Sequence, residues 1–377
     1  MRRFFWSIVF CGVCALASCD KQPVVVVDDT TDSSLLYLGA DLSYVNEMED
    51  CGGTYQLGGV VTDPFDLFAV KGSNLVRVRL WHSPDWTAYS TITDVEKTIR
   101  RAKSAGMDVL LDVHYSDKWA DPSEQIRPKA WSGITDNAVL GDSVYAYTYA
   151  TLDRLASKGL LPTIVQVGNE INREVLQEEN MQSTSINWGR NVLLLNRGLS
   201  AVVDFSAASG TVVETMIHIA QPENALWWFK EAVARGLQSF DWIGLSYYPK
   251  WSSYPLTSLS RAVDSLVTTY GKRLMVVETA YPHTLSNKDN ANNILGQDAL
   301  ITGYPATPDG QLHYLTDLVA QVVAGGGSGV VYWEPAWIST GCTTLWGTGS
   351  HWDNATFFDA YNGNEALPAF DFYSQAY

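Results

Sequence analysis

From Leu36 onward the chain alternates between two kinds of hydrophobic pattern. Short, nearly continuous apolar runs, of the kind needed by strands buried on both faces, predict strands at Tyr37–Asp41, Leu75–Leu80, Asp108–Val113, Ile164–Gly168, Thr211–Ile217, Trp242–Ser246, Leu274–Val277 and Gly329–Trp333. Between them, helix-like stretches are predicted at Pro64–Lys71, Ile92–Ala105, Asp136–Lys158, Ser185–Ser206, Pro222–Ala234, Leu256–Tyr270 and Leu312–Ala324. In the second of these, Val95, Ile99 and Ala102 recur at helical spacing. Gly72, Gly106, Gly159, Gly236 and Gly271 each sit just past such a stretch, where a left-handed cap is cheap for glycine. Strands alternating with helices predict parallel βα units, and eight strands of this kind predict an α/β fold, a single (β/α)8 TIM barrel.

The long connections all follow strands, at residues 42–62, 114–131, 169–184, 247–255, 279–308 and 334–355. In a parallel barrel these share the rim that carries the active site. Two of the apolar runs end there in a glutamate: Thr163-Ile164-Val165-Gln166-Val167-Gly168-Asn169-Glu170 and Leu274-Met275-Val276-Val277-Glu278. Burying a carboxylate is costly unless it is paired or put to use. Two carboxylates brought to one barrel mouth suit glycosidic-bond cleavage, which with retention needs them roughly 5–5.5 Å apart, one protonated and one ionised. A structural ion-pair role for both is the alternative reading of the same residues.

Length and composition narrow the choice. A chain of 377 residues suits one barrel with long loops, and a net charge of −16 makes nucleic acid and anionic membrane surfaces poor partners. Aromatics are plentiful, and Trp119, Trp131, Trp251, Trp337 and Trp346 fall in predicted loops, where exposed rings can stack on sugars. No His/Cys set has zinc spacing, so no catalytic cofactor is expected. Arg2 and Arg3, the apolar stretch from Phe4 to Ala15, and Leu16-Ala17-Ser18-Cys19 resemble a bacterial lipoprotein signal. Residues 1–18 would then be a signal peptide, Cys19 the lipidated residue, 19–35 a tether, and 36–377 the catalytic barrel. The expected place is the bacterial envelope, at the outer membrane, with the lipid as the only membrane contact and the protein a monomer. Cys51 and Cys342 remain in the mature domain, and an even pair in an exported protein suggests a disulfide.

Asn169-Glu170 on the fourth strand and Glu278 on the seventh resemble clan A of the retaining glycoside hydrolases, in which the first glutamate is the acid/base and the second the nucleophile. Further runs sharpen this: Gly39-Ala40-Asp41-Leu42-Ser43, Arg77-Val78-Arg79-Leu80-Trp81, His114-Tyr115-Ser116-Asp117-Lys118-Trp119-Ala120-Asp121-Pro122, Gly244-Leu245-Ser246-Tyr247-Tyr248-Pro249 and Tyr332-Trp333-Glu334-Pro335. They resemble family 53, the endo-β-1,4-galactanases, over nearly all of residues 36–377. The resemblance implies retaining hydrolysis of β-1,4-galactan, the side chain of pectin. It also implies substrate contacts from Asp41, Arg79, His114, Asn169, His218, Tyr247 and Trp333, with Arg79 and Tyr247 holding the nucleophile. Bacterial members of the family bind calcium in the loop after the seventh strand, here Asn287, Asp289 and Asn293, with help from a Ser and an Asp of the last loop, here Ser350 and Asp353. Two rivals share these features: a clan A enzyme acting on another β-1,4-linked polymer such as mannan or glucan, and a sugar-binding lipoprotein without activity. A pure binder has no need of the two glutamates.

Overall fold

The computed structural model describes Met1 and residues 35–377 apart from 181, 182 and 184, so the expected signal, Cys19 and the tether through residue 34 lie outside the described residues. Eight strands form a closed parallel barrel: β1 (Tyr37–Asp41), β2 (Leu75–Leu80), β3 (Asp108–Val113), β4 (Ile164–Val167), β5 (Glu214–Ala220), β6 (Trp242–Ser246), β7 (Arg273–Glu278) and β8 (Gly329–Tyr332). Consecutive strands are neighbours, and β1 closes the ring on β8 with Tyr37 beside Gly329. The helices are α1 (Val45–Asp50), α2 (Pro64–Lys71), α3 (Ile92–Ser104), α4 (Asn137–Ala156), α5 (Trp188–Ser209), α6 (Pro222–Ala234), α7 (Leu259–Tyr270) and α8 (Pro308–Ala324).

Local chemistry explains the boundaries. Side chains of Asp63, Thr91, Asp136, Asn187 and Thr307 cap α2, α3, α4, α5 and α8 by accepting first-turn backbone N–H groups, which otherwise lack partners. Inside the barrel, Tyr37, Leu75, Leu110, Ile164, Met216, Trp242, Met275, Val277 and Val331 fill the interior, and a larger apolar layer packs between strands and helices. Gly198 lets α5 approach the sheet: a Cβ there would lie 2.6 Å from Val167 Cγ1.

The structure departs from the pattern in places. β5 starts three residues later than the apolar run, because Val212 is exposed and the Ser206 hydroxyl accepts the Val213 N–H. The short helix α1, with three acidic residues among its six, lies within the connection at residues 42–62. Short strands at Gln56–Leu57, Val60–Val61, Phe358–Asp359 and Glu365–Ala366 form a small separate sheet, and Thr343–Thr344 pairs with Gly347–Thr348 in a hairpin. Two-residue strands carry too little periodicity to be seen in a sequence.

Cys51, just past α1, is bonded to Cys342 in the loop after β8, with Cα atoms 5.6 Å apart. The bridge spans a sequence separation of 291 residues. The chain-entropy treatment gives roughly 5–6 kcal/mol for so long a loop, an upper figure that residual structure in the unfolded chain reduces. Double replacement by serine is expected to lower the midpoint of urea unfolding with little change in the wild-type fold. An unchanged midpoint would show that the bridge adds nothing to stability.

Candidate active site

The rim takes its shape from sharp exits at the strand ends. Tyr115, Glu170, Gln221 and Glu334, each within three residues of the end of β3, β4, β5 or β8, have φ values of 50°, 45°, 66° and 49°. Left-handed backbone at a non-glycine residue costs of order 1–3 kcal/mol and persists only where the surroundings hold it. At Glu170 that turn follows Gly168 (φ 83°) and aims the side chain back over the barrel mouth instead of along the strand.

At the centre lies Arg77 of β2, fully buried. Its guanidinium donates to Asp41 (2.8 Å), Asp112 (2.9 Å) and Asn169 Oδ1 (2.7 Å), and is paired with Glu278 Oε1 at 2.9 Å. Burial pushes the Asp112 carboxyl up, but the Arg77 charge and the His114 hydrogen bond outweigh it and hold Asp112 down to about 2. His114 Nδ1 accepts the Ala120 N–H, so its proton sits on Nε2 and is donated to Asp112 at 2.9 Å. Asn169 is fixed from both sides: its Oδ1 accepts from Arg77 and its amide nitrogen donates to the Ala120 carbonyl.

Above this cluster stand Glu170 and Glu278, with a carboxylate oxygen of each within 4.8 Å of the other. Their surroundings differ. Glu278 has Arg77 at 2.9 Å and the Tyr248 hydroxyl at 3.3 Å. Among the described residues no cation forms an ion pair with Glu170, which accepts a short hydrogen bond from Ser246 Oγ. Burial and then the Glu278 charge push Glu170 far above the ordinary carboxylate range; burial raises Glu278 less far, to about 7, with Arg77 pulling against it. The pair's shared proton therefore belongs on Glu170 and the charge on Glu278. His218 approaches both glutamates, but its ring nitrogens lie 2.9 Å from Asn169 Oδ1 and 2.9 Å from Ser246 Oγ. Both nitrogens are thus committed, and the three residues do not form an open metal site.

Glu170 and Glu278 open into a cleft of about 930 Å³ lined also by Trp119, Asp121, Asn169, Gln221, Asn224, Tyr248, Trp251, Trp333, Trp337, Trp346 and Trp352. Of the loop tryptophans expected to stack on ligand, Trp131 does not reach it. It is buried against the His82 ring, 4.7 Å between centroids.

The structure reassigns several expected contacts. Arg79 was expected at the nucleophile, but the cation there is Arg77; Arg79 pairs with Glu334 at 3.2 Å. Both arginines alternate onto the inner face of β2, and only Arg77 lies where β1, β3 and β7 bring their carboxylates. Tyr247 was also expected there. It is fully buried and donates to the Tyr254 carbonyl, while Tyr248 reaches Glu278. Side chains alternate along β6: Trp242 and Ser246 face inward, so Tyr248, two residues on, faces inward with them while Tyr247 faces away. Asp41, His114 and His218 do not line the cleft; all are buried beneath it, bonded to Arg77, Asp112 and Ser246. Asn169 and Trp333 do line it. Arg77 and Asp112 had a signal of their own, since a charge inside an apolar strand run must be paired.

The five residues expected around calcium lie close together. Asn293 Nδ2 donates to Asn287 Oδ1 and to Asp353 Oδ1, both at 2.7 Å, while Asn293 Oδ1 is buried without a partner. Reversing that amide turns three side-chain oxygens toward one another, an arrangement that fits a cation. Asp289 and Ser350 are engaged elsewhere: Asp289 accepts from Ser339, Ser350 N and Ala291 N, and Ser350 donates to the Trp337 carbonyl.

Comparison with known proteins agrees with this geometry. Residues 37–373 match the profile of glycosyl hydrolase family 53. The chain is 56% identical to an arabinogalactan endo-β-1,4-galactanase of Cellvibrio japonicus over 347 residues, 92% of each chain. It is 34% identical to an endo-β-1,4-galactanase of Bacillus subtilis, covering 83% of this chain and 75% of that protein. The solved family 53 catalytic domain of Ignisphaera aggregans superposes with a TM-score of 0.81 at 32% identity, covering 90% of this chain and 95% of that one. A fungal β-1,4-galactanase structure superposes with a TM-score of 0.77 at 30% identity, covering 91% and 100%. With one glutamate just past β4 and one at the end of β7 of a closed barrel, the chain belongs to glycosyl hydrolase family 53.

Proposed function

We infer that the protein is a retaining endo-β-1,4-galactanase that hydrolyses the β-1,4-galactan side chains of pectin by double displacement. The observation that carries this is the spacing and unequal surroundings of Glu170 and Glu278, whose oxygens approach within 4.8 Å. That gap suits direct attack by one carboxylate and is too narrow for the water that an inverting pair must admit. Glu278, held as the anion by Arg77, attacks the anomeric carbon. Glu170 gives its proton to the departing glycosidic oxygen. The resulting galactosyl ester on Glu278 is then hydrolysed by a water that Glu170, now the base, deprotonates. The galactan specificity is supported by the relatives from Cellvibrio and Bacillus.

Two measurements test this reading. Incubated with galactan, mannan and a soluble glucan, the protein should release new reducing ends from galactan. NMR of the first-formed product should show the β-anomer; a dominant α-anomer means inversion and excludes the double displacement.

The pH profile follows from the same pair. Activity falls on the acid side as Glu278 takes up a proton and on the alkaline side as Glu170 loses its own. Both groups are raised by burial, Glu278 to about 7. The optimum is therefore expected near neutrality or above, not in the ordinary carboxylate range near pH 4–5. Full activity maintained at pH 4.5 would contradict this.

The reading includes two features outside the catalytic pair. Attachment to the bacterial envelope through a lipid on Cys19 is supported by Leu16-Ala17-Ser18-Cys19. A structural calcium ion held by Asn287, Asn293 and Asp353, with Asp289 and Ser350 behind them, is supported by the unpartnered Asn293 oxygen. It would tie the loop after β7 to that after β8 and supply no chemistry to the reaction. Chelator should then lower the melting temperature, and added calcium restore it.

A further inference from the structure

Arg79 is buried, with 2% of its surface exposed, and takes no part in the cluster around Arg77. Three aromatic rings box its guanidinium: Cζ lies 4.1 Å from the Trp119 ring centre, 4.7 Å from Trp81 and 4.8 Å from Tyr44. Polar partners hold the edge of the plane. Nε donates to Ser90 Oγ at 3.1 Å and Nη1 to Glu334 Oε1 at 3.2 Å. Glu334 is itself fully buried, follows Trp333 directly, and accepts the Tyr44 N–H at 3.2 Å. Of the three boxing rings, Trp119 is the one that lines the cleft, with its ring centre 5.8 Å from that of Trp333. A flat, delocalised cation stacks on indole in a way that the compact ammonium of lysine does not.

We propose that Arg79 is a positioning residue for sugar binding: gripped by Glu334 and Ser90, its guanidinium plane sets the tilt of the Trp119 indole, and with it the aromatic wall that Trp119 and Trp333 present to the galactan chain. The proposal rests on the reading of the cleft as a galactan groove. Arg79 thus acts on ground-state stacking, while Arg77 acts on the nucleophile. A stacking wall serves sugars bound along the groove, so its loss shows in KM more than in kcat.

The test is a double-mutant cycle on galactan with Trp119→Ala, Arg79→Lys and the two combined, with melting temperatures recorded for each. Lysine keeps a positive charge opposite Glu334 and removes the plane together with its Nε bond to Ser90. Arg79→Lys is expected to raise KM about tenfold with kcat within about threefold of wild type. The combined variant should have the KM of Trp119→Ala alone, because Arg79 acts through that ring. A fall in kcat at constant KM, or KM effects that multiply, overturns the proposal. Should Arg79→Lys not fold, Glu334→Gln loosens the same grip from the other side and must raise KM; an unchanged KM there overturns it equally. Wild-type protein that releases no reducing ends from galactan refutes the functional reading instead, before any variant is compared.

Discussion

Glu278→Gln and Glu170→Gln are expected to lose nearly all activity on galactan while keeping the wild-type fold, and to differ sharply once the leaving group is changed. Removing general acid assistance costs about 10²–10⁴-fold when the departing sugar needs a proton. An aryl galactoside with a very acidic phenol leaves without that proton, so Glu170→Gln should recover much of its first step on such a substrate. Its second step stays slow, because no base activates water. Azide needs no deprotonation and is small enough to enter, so it should accelerate turnover and yield a β-galactosyl azide. Glu278→Gln has no nucleophile to form the ester, and neither the better leaving group nor azide should restore the retaining reaction. The assignment is read from the surroundings of the pair, with Arg77 at 2.9 Å from Glu278 and only a serine hydroxyl on Glu170. Equal rescue of both variants would refute it.

Arg77→Met should have the largest effect on stability of any single change near the site. Arg77 is the common partner of Asp41, Asp112 and Glu278, all buried. Taking away one member of a buried ion pair costs roughly 3–5 kcal/mol, because the remaining charge has no compensation. Three carboxylates share this one cation, so the loss falls at the upper end. With Arg77 present, Asp112 is held down to about 2, and a depressed carboxyl contributes stability above its unfolded pKa that is lost as pH falls through the folded value. Without Arg77 the buried Asp112 carboxyl rises, and its neutral form becomes tolerable in acid. The gap between variant and wild type in urea unfolding should therefore be wide at pH 8 and narrower at pH 4.5. A gap that widens toward acid would mean that Arg77 is not what holds Asp112 charged. Activity of Arg77→Met should also fall below that of Arg79→Lys by orders of magnitude, since only Arg77 touches the nucleophile.

The barrel was legible because its strands, buried on both faces, read as largely apolar runs, and those at β2, β3 and β6 end where the strands end. The two glutamates were legible for the complementary reason, as charges at the rim ends of such runs. What lay beyond reach was direction. Arg77 and Arg79 sit two apart on one strand and look alike in a sequence; only the third dimension shows that one meets three carboxylates and the other three aromatic rings. Tyr247 and Tyr248 are adjacent, and the alternation that turns Trp242 and Ser246 inward selects Tyr248 only once the inner face of β6 is known. Asp41, His114 and His218 were expected to touch substrate at the barrel mouth, yet they lie buried beneath the cleft. Depth along the barrel axis is set by strand stagger, not by residue type.

The bridge between Cys51 and Cys342 makes most of the domain a covalent ring. β1 and β8 are the pair of barrel neighbours farthest apart in the chain, and the bridge fastens the loops that follow them. A protease that cuts any one of the long connections between residues 51 and 342 opens the ring without releasing a piece. Both fragments stay fastened at that seam and can close again around the same cleft, so a first nick need not end the life of the molecule.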